Sequence, residues 1–93
     1  MLEEYYLKAA VDIDNAKQEA ERWRKNIEKA TSEVQRQYYE EIQDLDSKCD
    51  RARIALNQCV MGKEQPTEEQ RATLERALAE MREAVSKLTA KFR

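Results

Sequence analysis

Histidine is absent from this chain, and glycine and proline occur once each. Without histidine there is no ready proton carrier near neutral pH, and no Ser-His-Asp or Cys-His nucleophile system. The usual zinc ligand sets and the Glu-x-x-His pairs of carboxylate di-iron bundles go with it. A single glycine cannot build a phosphate-cradling loop. The chain is therefore read as a non-enzyme with no catalytic residue, metal or cofactor. An enzyme working through Arg, Lys and Glu alone is the minor alternative.

Long hydrophobic runs are missing too. Nothing approaches the ~18–20 apolar residues of a membrane span. The opening MLEEYYLK is acidic where a secretory signal would be basic. A soluble, cytoplasmic protein is expected, with Cys49 and Cys59 as free thiols. Ten residues apart on one helix, they would lie about 15 Å apart, beyond the ~7 Å reach of a disulfide.

Charge of one sign is also lacking. Residues 1–30 hold six basic and seven acidic side chains, residues 31–61 four and six, residues 62–93 seven and six. No segment has the one-sided positive field that nucleic-acid binding uses to release counterions, so no nucleic-acid partner is expected. Mixed polar faces likewise argue against docking on anionic lipid. No membrane partner is expected, and an amphipathic lipid-surface protein is kept as the alternative reading.

What the chain does have is charge and periodicity. Charged residues make up 39% of it, well above the ~25% of ordinary globular proteins. Apolar residues recur at alternating steps of three and four, the period of helices packed at coiled-coil angles. The first stripe runs Leu2, Tyr6, Ala9, Ile13, Ala16, Ala20, Trp23, Ile27, Ala30, Val34. It resumes as Tyr38, Ile42, Leu45, Cys49, Ala52, Leu56, Cys59. A third runs Leu74, Leu78, Met81, Val85, Leu88, Phe92. Leu7 and Val11 widen the first stripe on one side. In the pairs Tyr5–Tyr6 and Tyr38–Tyr39, one ring of each should be exposed.

Gly62 and Pro66 place a loop at 62–66, with Gly62 at a helix C′ position. Thr67 and Gln70 have capping-box spacing, so a helix should begin there. Glu68 and Glu69 fall in its first turn and Lys87, Lys91 and Arg93 in its last, as the macrodipole favours. Between Ala30 and Ile42, three steps of four follow one another. That slip of one residue rotates the stripe by roughly 100°. It coincides with Thr31-Ser32-Glu33, a possible hinge where Ser32 and Gln35 again have capping-box spacing.

The predicted fold is all-α and a single domain: an arm over 2–30, a possible hinge at 31–33, helices over 33–61 and 67–92. It closes either as a three-helix bundle or as a swapped dimer, in which one long helix (about 2–61) is followed by the C-terminal helix. With no Gly, Pro or Asn at the hinge, the straight, dimeric form is expected. In that form the alanine-rich arm must pack on another chain. Ile13, Ala16, Ala20, Trp23 and Ile27 are then the candidate interaction surface, with Trp23 as anchor. Glu40, Glu41 and Asp44 form a possible acidic docking patch, although a solvated face explains them more simply. The functional expectation is a small protein–protein interaction module, a scaffold, adaptor or chaperone-like protein. Its expected partner is itself, most simply as a homodimer, or a heterologous helix.

Overall fold

The computed structural model describes residues 2–61 and 65–91, with side chains from residue 4 onward. Three helices occupy them: α1 (Leu2–Glu28), α2 (Ser32–Val60) and α3 (Glu68–Lys91). They form one closed three-helix bundle spanning 50 × 19 × 19 Å between Cα atoms. Cross-helix ion pairs give the directions. Asp14 meets Arg53 and Arg24 meets Asp46, so α1 and α2 are antiparallel. Lys91 meets Glu41 and Cys59 meets Gln70, so α2 and α3 are antiparallel; α1 is therefore parallel to α3, and Asp12 meets Arg82 between them. The helix α2 packs along both of its neighbours, and α1 touches α3 more sparsely.

The stripes become the core. Ile13, Ile42, Leu45, Leu74, Met81 and Leu88 are almost wholly buried, as are Cys49 and Cys59. Tyr6, Trp23, Tyr38 and Val85 pack against them from the edges. Ala55 and Ala84 are buried although they stand outside the stripes. They lie on the flanks where α2 and α3 face each other, and a small side chain there lets two backbones approach. Leu2 and Phe92 of the expected stripes fall outside the side chains described.

The straight, dimeric architecture is not the one adopted. The chain reverses over Lys29–Thr31, slightly before the expected 31–33. Thr31, rather than Ser32, caps α2: its backbone is extended (φ −64°, ψ 159°) and its hydroxyl accepts from the Val34 N–H. Gln35 does not complete a capping box. Its side-chain amide reaches back to the carbonyls of Ile27 (2.9 Å), Glu28 (3.1 Å) and Ala30 (3.4 Å), at and just beyond the C-terminus of α1, where helical donors run out. A side chain thus performs the task that a terminal glycine performs elsewhere.

At the second connection the expected capping box is present. The Thr67 hydroxyl accepts from Gln70 N–H at 3.1 Å, and the Gln70 side chain accepts from Thr67 N–H at 3.0 Å. Glu68 and Glu69 occupy the first turn of α3 and Lys91 its last. The expected roles of Gly62 and Arg93 lie outside the described residues. Lys91 also ties α3 to α2, over the Tyr38 ring and paired with Glu41, while the Tyr38 hydroxyl donates to the Lys91 carbonyl.

Candidate functional site

Packing turns the expected interaction surface inward. Ile13, Ala16, Ala20 and Ile27 are buried under α2 and α3 of the same chain, and Trp23 is partly buried against that core. The physical reason is the turn at Lys29–Thr31. Once α1 folds back, its own hairpin covers the face that an extended arm would offer to a partner.

The acidic set is dispersed as well. Glu41 is held by Lys91, and Asp44 by Lys48 at 3.1 Å. Glu40 is exposed on the flank of α2. No group of three or more His, Cys, Asp or Glu among the described residues is placed to hold a metal ion.

The densest electrostatic feature lies elsewhere, between α1 and α2. The Arg24 guanidinium stands 2.6 Å from Asp46 Oδ2, and Lys17 Nζ is 2.9 Å from Asp46 Oδ1 and 3.1 Å from Asp50. Partial burial pulls the Asp46 carboxyl upward, but hydrogen bonds from Arg24 and Lys17 outweigh it and hold the group below its ordinary value of 3.8. Lys17 moves up, chiefly through its bonds to Asp46 and Asp50. A depressed carboxyl stabilises the fold above its unfolded value, and that contribution is lost as pH falls through the folded value. The raised lysine contributes below its ordinary 10.5 and loses its share as pH rises past the folded value. Asp46→Asn should therefore cost about 1 kcal/mol at neutral pH, and the difference from the parent should vanish near pH 2. Urea titrations at the two pH values measure it; an undiminished difference in acid would refute this account.

The two thiols belong to the packing. Cys49 and Cys59 are both free and buried. Burial pushes the Cys49 thiol up to about 11, and Cys59 moves up for the same reason. Neither thiol is a ready nucleophile at neutral pH.

Exposed apolar surface is concentrated at one end of the bundle. Leu7 and Val11, expected to widen the buried stripe, face outward; Leu7 is 67% exposed. Each helical residue advances about 100°, so side chains flanking a narrow stripe come round to the solvent side. Near them the chain leaves α2 through Val60 and Met61, both exposed, the latter by 78%. Between the start of α1 and the end of α2 lies an open groove of about 450 Å³. Tyr6, Leu7, Ala10, Leu56 and Val60 line it. Tyr5 and Tyr39 are the outward rings of the two tyrosine pairs, as expected. Val60, Met61 and Ile54 went unnoticed in the sequence. Val60 and Met61 next to the expected loop were the available signal; Ile54 lies apart from them, in a groove between α2 and α3.

Two further grooves flank α3. One lies against α1, between Asp12, Glu19 and Arg82; the other lies against α2, around Ile54, Arg51 and Arg76. Both are wide open and carry mixed charge. No described helix is long and apolar enough to cross a membrane. No protein-family model, curated protein or solved structure matches this chain.

Proposed function

We propose that this chain is a small helical protein–protein interaction module that works as a homo-oligomer through the apolar end of its bundle. One observation carries the reading. Of the seven large hydrophobic side chains exposed among the described residues, five (Tyr5, Leu7, Val11, Val60 and Met61) belong to the start of α1 and the end of α2. The antiparallel packing brings those segments to the same end. Scattered exposed apolar residues need no explanation, whereas exposed apolar residues gathered at one end and lining a groove there, as Leu7 and Val60 do, are the usual mark of a docking surface. Leu7 projects beside the groove it helps to line, so a two-fold axis would seat each Leu7 in the other copy's groove.

Light scattering across a concentration series tests the reading. The parent chain should form a dimer at micromolar concentration. Leu7→Glu should shift it to monomer, weakening association about a hundredfold, without changing its helical circular dichroism. A parent chain that stays monomeric throughout would sink the proposal.

A further inference from the structure

The reversal at Lys29–Thr31 is unusual in what it is made of. It contains no glycine or proline, and no non-glycine residue among those described has positive φ. Ala30 N–H already bonds back to Ile27 O at 3.0 Å, a one-turn helical bond. Gln35 N–H bonds to Thr31 O at 3.0 Å, as it would inside a helix. Thr31 itself has a helical φ of −64°, and only its ψ of 159° is extended. Helical hydrogen bonding ends at Glu28 and resumes at Ser32, so the departure from a continuous helix is confined to Lys29, Ala30 and Thr31.

The closed form is held by substitution of one donor for several others. In a continuous helix the Ile27, Glu28 and Ala30 carbonyls would accept from the backbone N–H groups of residues 31, 32 and 34. Here the Gln35 amide takes their place, two hydrogens shared among three acceptors. The cap that joins it is weak: Val34 N–H to the Thr31 hydroxyl is 3.4 Å. Everything else that fixes α1 is a contact with α2 or α3, including the pairs of Asp12, Asp14, Lys17 and Arg24. A second copy's α1 could make each of those contacts unchanged.

We propose that Lys29–Thr31 is a swap hinge and Gln35 its latch. When the latch opens, α1 and α2 join into one helix over 2–60, and each α1 packs on the α2–α3 hairpin of a second copy. The one-residue slip of the apolar stripe suits this state. In a straight chain it turns the α1 face by about 100° from the α2 face, and α1 then lies beyond the end of the chain's own α3, which reaches Tyr38 and Glu41 through Lys91. The occupant of the opened hairpin is a second copy of this chain, because only that α1 carries the matching stripe and charges. This inference is independent of the apolar end of the bundle.

The test refolds the full chain from denaturant at millimolar and at micromolar concentration. Millimolar refolding should yield a dimer that persists after dilution, because reversal requires α1 to unpack. Bio-orthogonal spin labels at Glu4 and Gln58 leave both cysteines untouched. The labels are close in the closed bundle, whose groove joins those two ends. In the dimer, refolding the labelled chain with excess unlabelled chain should remove the short distance and leave one of about 80 Å. Gln35→Ala should raise the dimerisation constant roughly tenfold or more, since each dimer no longer gives up two sets of latch bonds. Ser32→Pro should abolish the persistent dimer. Proline fits the first helical position and an extended Thr31 before it, but breaks a helix running through. A dimer that keeps its short distance after spin dilution overturns the hinge, as does one lost in Leu7→Glu and retained in Ser32→Pro. Parent and Gln35→Ala chains that both remain monomeric after millimolar refolding overturn it equally.

Discussion

Leu45→Ala should cost the bundle about 2–5 kcal/mol of unfolding free energy. Leu45 is completely buried near the middle of α2, the helix that packs against both others. Removing three carbons forfeits their transfer free energy and leaves a space between three rigid helices. The surrounding core includes Ile42, Cys49 and Leu88, all buried, and α2 cannot shift toward one neighbour without leaving the other. A domain of this size typically has about 5–15 kcal/mol in total. Each lost kcal/mol lowers Tm by about 4–8 °C. Thermal denaturation followed at 222 nm should therefore show a fall of about 8 °C or more. A shift of a degree or two would mean that the central layer is far looser than its burial indicates.

Ile13→Asp should act more drastically, and it distinguishes a core residue from an interface residue. Ile13 is fully buried on α1, and a carboxylate there has no cation on the core side to meet it. Burying an unpaired charge belongs to the short list of changes that cost about 4 kcal/mol or more. The expected result is loss of cooperative folding, seen as a collapse of the denaturant transition and loss of native tryptophan fluorescence from Trp23. Had α1 been an arm offered to another chain, the same substitution would instead yield a folded protein that fails to associate. A folded, cooperative Ile13→Asp monomer would contradict the closed bundle.

The stripes of Ile13, Leu45 and Leu78 could be read because alternating steps of three and four leave little choice of inward face. Thr67 and Gln70 were legible for a local reason: both halves of the capping box lie within one turn. Gln35 was misread by the same logic. Its spacing from Ser32 is that of a capping box, but its donor is used on carbonyls that precede it by five to eight residues. Nothing in a four-residue window reveals such a partner. The turn itself escaped because Lys29–Thr31 reverses the chain without positive φ, and so needs no helix breaker. Closing α1 onto its own hairpin or onto another chain's makes the same contacts, so the stripe pattern cannot distinguish them. The outward turn of Leu7 and Val11 was hidden for a related reason, since a widened stripe and an exposed flank differ only by the width of the neighbouring helix.

The ion pairs that revealed the helix directions are unevenly distributed. Among the described residues six link different helices, and five of those tether α1, through Asp12, Asp14, Lys17 and Arg24. The buried face of α1 is largely small, with Ala9, Ala16 and Ala20 in its centre, while α2 and α3 meet through Leu45, Leu74, Leu78 and Leu88. Electrolyte weakens partly exposed charge pairs and leaves dispersion and hydrophobic contact largely alone. Salt is thus a selective solvent for one helix of the three. Raising it should loosen α1 long before the hairpin notices, which makes ionic strength a control on how readily this bundle opens.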